Sequence, residues 1–363
     1  MERKKYLDNL RVFVIILVII YHACYIFNGV GVPGGFPIND GVFIFDAFCS
    51  LTYPWFMVLL FMVSGIAARL SLQKRGQKRF LRERVKKLLV PSTIGLFVLH
   101  WVTGYLYIRI GGGLEHIPAF LVYPISVLSG SGPLWFAHLA FLYAVIISIV
   151  SSTKAEDKLY KLGGKLSYFA ILPLGGLAIY ASAQILNMPV ITTYRVGIYF
   201  VSFLIGYFIL SHDEIIEKTE KALPLNLLVS IIFGVVYFCL YIGKNYASDA
   251  VLKSSIANFY AWSMSLSMLG LFKKYFNGRT KLSSYMISNS FGYYVLHYPC
   301  IVYVGYCFYI YTDIPLWEKI VLTAVLGSIA TLILNEIIKR IPIVRYAVLG
   351  IRKEKHEIQP NIR

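Results

Sequence analysis

Apolar runs close to 20 residues long recur from one end of this sequence to the other, and that excludes most folds at once. A run of this length, wound as a helix, matches the hydrocarbon thickness of a bilayer. The runs fall at Leu10–Phe27, Phe48–Leu70, Leu88–Ile110, Leu134–Val150, Leu166–Leu186, Arg195–Leu210, Leu225–Ile242, Ser254–Phe272, Tyr285–Ile310 and Leu316–Ile338. Ile117–Leu128 is also apolar, but it is short and contains Pro118 and Pro124, so it reads as an interfacial or re-entrant piece. Charged residues are only 15% of the chain and hydrophobic ones 58%, with a mean hydropathy of +0.66. A soluble surface needs about 25% charged residues. The expected fold is all-α, a polytopic transmembrane bundle of about ten helices.

The charge balance orients that bundle. The net charge is +17, yet 29 of the 35 lysines and arginines lie in the alternate short segments that share one side with the N-terminus. The first loop on the other side, Asn28–Ala47, has none. This asymmetry sets topology, and it places both termini in the cytoplasm of a plasma-membrane protein. It also assigns the positive charge to anionic lipid rather than to nucleic acid. One membrane domain, residues 1–345, is expected to precede a basic cytoplasmic tail, residues 346–363. The first run follows Arg3, Lys4, Lys5 and Arg11 but lacks a small-residue cleavage site, so it reads as a helix rather than a signal peptide. Cys24, Cys49, Cys239, Cys300 and Cys307 are scattered without metal-binding spacing and read as small buried hydrophobes.

Ionisable groups at membrane depth are costly and therefore informative. His22 follows Arg11 by eleven residues. Eleven helical steps return to within about 20° of the same face and rise about 16 Å, which sets an imidazole near mid-bilayer above an arginine. Asp8, three residues before Arg11, can pair with it. His297 lies at a similar depth on the ninth run, with Ser290 and Tyr293 on its face. His100 reads as a structural histidine, and His138 and His116 are weaker candidates. The stretch Ser71–Lys87 carries eight lysines and arginines against one acid, Glu83. Topology alone explains about three or four of these; the remainder makes the stretch a candidate phosphate site, since arginine holds phosphate bidentately. Ser64-Gly65 within the second run suits close helix packing. Gly132-Pro133-Leu134-Trp135-Phe136 opens the fourth run as a helix start in an aromatic belt.

Taken as an ordered set, these residues resemble the membrane-bound acyltransferase 3 family. The family's leucine-aspartate-x-leucine-arginine opening and following histidine are matched by Leu7-Asp8-Asn9-Leu10-Arg11 and His22. Its serine-glycine pair is matched by Ser64-Gly65, and its arginine-x-x-arginine stretch before a proline by Arg79-Phe80-Leu81-Arg82 and Arg84–Pro91. Leu134-Trp135-Phe136 and the late Tyr294-Val295-Leu296-His297-Tyr298-Pro299 complete the set, which covers nearly the whole chain. Lys87 stands where the family usually has arginine, and the extracytoplasmic hydrolase-like domain of some members is absent from this chain.

The resemblance implies transfer of an acyl group, most often acetyl, from acyl-CoA to a hydroxyl of an envelope polysaccharide, a glycolipid or a small molecule. His22 is then the expected base, because a near-neutral imidazole suits a hydroxyl that must lose its proton as it attacks. A covalent acyl-histidine is compatible with the same residues. His297 and Tyr293 would position the acceptor or stabilise the oxyanion. Arg11, Arg79, Arg82, Arg84 and Lys87 would hold the CoA phosphates, with no metal involved. Acceptor selection would fall to the first outer loop and to residues 111–132. The competing class is a transporter or flippase, which also needs many helices and basic loops. Against it, the acids within the runs, Glu318 and Glu336, sit near helix ends rather than at mid-depth.

Overall fold

The computed structural model describes residues 4–189 and 193–350. Each expected run coincides with a helix: α1 (Lys5–Tyr25), α2 (Phe43–Arg75), α3 (Gln77–Ile110), then, after α4 (Ala119–Ser129), α5 (Trp135–Val150). Beyond the short α6 (Lys154–Lys165) come α7 (Tyr168–Ser182) and α8 (Val196–Phe208), joined by a two-stranded hairpin of β1 (Asn187–Pro189) and β2 (Thr193–Arg195). The chain continues as α9 (Asp213–Lys221), α10 (Leu223–Tyr241), α11 (Ser255–Tyr275), α12 (Lys281–Tyr311), α13 (Leu316–Arg340) and α14 (Pro342–Leu349). The molecule is an all-α polytopic membrane protein.

The count of about ten spans is loose, for a physical reason. Six helices are both long and apolar enough to cross a bilayer, and α8 with α9 makes a seventh only as a pair bent by 105°. The remaining long helices, α11 and α12, fall short of that apolarity and bury polar side chains within the bundle. Ser263, Ser265 and Ser267 of α11 are buried, as are Asn289, Tyr293, Tyr294 and His297 of α12. Lipid-facing duty falls to helices such as α10 and α13, which expose Leu228, Ile231, Val325 and Ile333. Polar helices are thus surrounded by apolar ones. The short α4 packs on α3 where Gly104 meets the Ser126 carbonyl, and its 11 residues cannot cross a bilayer.

Two glycines explain how the motif-bearing helices meet. A Cβ on Gly65 would lie 2.0 Å from the Phe203 carbonyl oxygen, and one on Gly206 would lie 2.1 Å from that of Met62. So α2 and α8 touch backbone to backbone, which is the packing role read for Ser64-Gly65. The basic stretch Ser71–Lys87 is not a loop. It is the end of α2 and the start of α3, which meet at Gly76 with φ +71°. Along α3, Val85–Leu89 and Leu96–His100 widen into π-helical turns on either side of Pro91. At the other end of the chain, α14 runs through the expected tail boundary and buries Val348 and Leu349. The tail from 351 onward, like Arg3 at the N-terminus, lies outside the described residues.

Candidate functional site

The site starts from α1. At its basic end Arg11 lies 3.2 Å from one oxygen of Asp8, whose other oxygen takes a 2.9 Å bond from Arg279 at the approach to α12. Further along the same face stands His22, half-buried, and α12 brings His297 against it. Nε2 of His297 lies 3.2 Å from Nδ1 of His22. The two histidines expected at matching depth from distant parts of the chain are therefore in contact.

Hydrogen-bond logic orders the protons of this pair. His297 Nδ1 lies 2.8 Å from the Tyr294 carbonyl oxygen and 3.0 Å from that of Tyr293. Carbonyls only accept, so Nδ1 carries the proton. In the neutral ring Nε2 then offers a lone pair to His22, whose Nδ1 must donate. That leaves His22 Nε2 without hydrogen. His297 is 0% exposed and His22 is not, so the less enclosed imidazole is the one held with a bare nitrogen.

Prolines and glycines hold this arrangement. Pro299 has no N–H for the Val295 carbonyl one turn back, and His100 Nε2 fills that role at 2.8 Å. His100 Nδ1 lies 3.2 Å from the Gly130 carbonyl. The histidine read as structural thus ties α3 to the turn of α12 that carries His297. Tyr294 reaches across to α5: its hydroxyl donates to the Pro133 carbonyl at 2.5 Å and accepts from the Ala137 N–H at 3.2 Å. Gly132, with φ +45°, is needed because a Cβ there would lie 2.5 Å from the Tyr298 ring. The Tyr298 ring in turn packs edge-on against His22, with centroids 4.8 Å apart.

Two cavities meet at this point. One, of about 410 Å³, is lined by His22, His297, Trp135, Phe136 and eight tyrosines, and no aspartate, glutamate, lysine or arginine among the described residues lines it. The other, of about 590 Å³, is a funnel at the basic end lined by Lys4, Arg11, Lys74, Arg75, Arg84 and Lys87 against Asp8 and Glu83. Ile15, Leu60, Phe136 and Tyr294 line both. The two cavities thus share a wall between the basic end of α1 and the level of His22.

The structure sorts the expected site residues. His22 and His297 come together, and Arg11, Arg84 and Lys87 converge on the funnel. Arg79 and Arg82 do not line it; Arg79 is 73% exposed and bonds Glu83 at 3.5 Å. Tyr293 contributes its carbonyl to His297, but its side chain lines neither cavity, whereas that of its neighbour Tyr294 lines both. His138 lies 3.5 Å from Thr93 and lines neither cavity, and His116 sits in a short 3-10 turn after α3. Lys74 and Arg75 join the funnel from within the basic stretch, Tyr298 belongs to the late histidine motif, and Tyr25 and Ser131 have no sequence signal beyond general aromatic or turn composition. The loop between α1 and α2 folds over the aromatic cavity through Val32, Gly34 and Gly35. Asn28 pins it through bonds to the Tyr25 and Val32 carbonyls at 2.9 and 3.2 Å. No cluster of three or more metal-ligating side chains occurs among the described residues.

A family model described as an acyltransferase domain matches residues 4–338, which takes in every element of this site. Neither a curated protein nor a solved structure matches the chain. The motif set, its assembly around one pair of histidines and the extent of that match agree: the chain belongs to the acyltransferase 3 family and is a membrane acyltransferase.

Proposed function

We propose that the protein moves an acyl group, acetyl in the simplest case, from acyl-CoA to a hydroxyl of an envelope carbohydrate, glycolipid or small molecule. The observation that carries this reading is His22 in an uncharged aromatic cavity that shares Ile15, Leu60, Phe136 and Tyr294 with the basic funnel. Six cationic side chains suit the phosphates of CoA. The rise of about 16 Å from Arg11 to His22 suits a pantetheine arm delivering its thioester from those phosphates. Basic helix ends facing the cytoplasm of a plasma-membrane protein would open the funnel to the cellular CoA pool.

In this reading the acceptor hydroxyl lies in the aromatic cavity, within reach of His22 Nε2. Nε2 takes its proton while the oxygen attacks the thioester carbonyl, forming the C–O bond. The resulting imidazolium keeps its Nδ1 proton on His297. On collapse the C–S bond breaks, its electron pair goes to sulfur, and the Nε2 proton passes to the departing thiolate. The net products are the ester and CoA–SH. A cavity with eight tyrosines and no charged side chain favours an uncharged, hydroxyl-bearing acceptor moiety held by ring faces and hydroxyls. The test is acetyl-CoA turnover by the protein in liposomes with extracted envelope glycans. An acetyl-sized mass gain on an acceptor, absent with His22→Ala, is expected. No gain on any glycan or small-molecule hydroxyl would refute the reading.

A further inference from the structure

A third cavity, of about 670 Å³, adjoins the funnel at the basic end and shares Lys4 and Leu70 with it. The two differ sharply in charge. The funnel sets six cations against two acids, whereas the neighbour balances Lys4, Lys5 and Lys273 against Asp213, Glu214 and Glu217. Lys4 and Asp213 are paired across it at 2.5 Å. A polyanion gains little from entering a neutral, internally paired cavity. An uncharged group with hydrogen-bonding edges gains more, because fixed dipoles and paired ions can serve it without a net field.

Tyr6 supplies the second observation. It is 2% exposed, it lines this cavity, and its hydroxyl has no hydrogen-bond partner among the described residues. Its backbone is fixed by a 3.3 Å bond from its N–H to the Asn277 side chain, and Lys273 Nζ lies 5.7 Å from its ring centroid. A buried hydroxyl left unpaired costs free energy unless a ligand completes it. On the far wall, Tyr160 and His212 stack with centroids 3.9 Å apart. The cavity thus offers a hydroxyl, amides and aromatic rings directly beside a phosphate-sized cluster of cations.

We propose that this cavity is the nucleoside subsite of the donor: the phosphates of CoA lie in the funnel, and its adenosine lies beyond Lys4, with an acceptor edge of the base or ribose on the Tyr6 hydroxyl. This rests on the acyl-CoA reading above and extends it to the part of the donor that does no chemistry. It predicts that affinity for the nucleotide half and for the pantetheine half depend on different residues.

Isothermal titration calorimetry on the full chain in lipid nanodiscs tests this, with CoA, adenosine 3′,5′-bisphosphate and 4′-phosphopantetheine as titrants. Tyr6→Phe should weaken CoA and the bisphosphate about five- to tenfold, the worth of one hydrogen bond. It should leave phosphopantetheine unchanged. Glu217→Trp, at an exposed position on α9, fills the cavity without touching the core and should weaken the same two ligands further. Unchanged bisphosphate affinity in both variants, or equal weakening of phosphopantetheine, overturns the subsite while leaving the donor intact. Absence of CoA binding to the unaltered protein overturns the donor itself.

Discussion

Replacing His297 by leucine isolates the role of the second histidine. The substitution removes the acceptor of the His22 Nδ1–H bond, 3.2 Å long, and leaves the funnel cations untouched. Loss of one such bond is worth about 1 kcal/mol, or about fivefold in the population of the tautomer with a bare Nε2. The freed ring also loses its orientation. General-base catalysis as a whole contributes about 10²–10⁴-fold. The expected loss in kcat is therefore about 10- to 100-fold, smaller than for His22→Ala, with the acetyl-CoA KM held within about twofold. His297→Gln should recover much of it, because its amide can donate to the Tyr293 or Tyr294 carbonyl while its oxygen accepts from His22. Initial rates in proteoliposomes over a range of acetyl-CoA concentrations separate the two constants. Full kcat in the leucine variant, or a raised KM at constant kcat, would refute the relay.

Arg84→Gln should raise the acetyl-CoA KM about tenfold through loss of a charged phosphate contact, while Arg79→Gln and Arg82→Gln leave it near the parent value; equal effects at all three would mean the funnel is not the phosphate site. Gly65→Ala should lower the melting temperature in detergent, since its Cβ would overlap the Phe203 carbonyl and overpacking costs about 1–3 kcal/mol; an unchanged transition would mean α2 and α8 part easily. His100→Leu orphans the Val295 carbonyl at a cost of about 1–3 kcal/mol, and His100→Gln should restore part of that stability; the same thermal assay compares them, and equal melting temperatures would dismiss the tie to Pro299.

Helix positions were legible because lipid demands length and apolarity, and both are visible in a single sequence. The burial of α11 and α12 was less so, because a polar helix reads the same whether it lines a cavity or packs in a bundle. Rise per residue sufficed to set His22 and His297 at a similar level, but their contact was not legible. Which tyrosine serves the site was not legible. Tyr293 and Tyr294 differ by one residue, hence by about 100°, and the turn is distorted by Pro299. Which residues of the basic stretch share one face follows from similar geometry. Arg79 and Arg84 are five residues apart, about 140° around a helix, so the two arginine pairs cannot both face one funnel. Gly76 turns the stretch into two helix ends, and a single glycine among basic residues does not announce that. The third cavity had no sequence signal, since its lining comes from the ends of α1, α2, α6, α9 and α11.

The four side chains shared by the two cavities have a consequence for the cell rather than for the reaction. Hollows entering a membrane protein from opposite ends are a short circuit for protons and ions unless something insulates them. Ile15, Leu60 and Phe136 form with the tethered Tyr294 an apolar collar common to the two hollows. A hydrated ion passing that collar would shed its water with no charged group beyond to receive it. A slender thioester arm meets no such barrier. In the proposed reaction the same constriction would both admit the donor and preserve the membrane's resistance, and widening it, as in Leu60→Ala with Phe136→Ala, should show first as current across a bilayer.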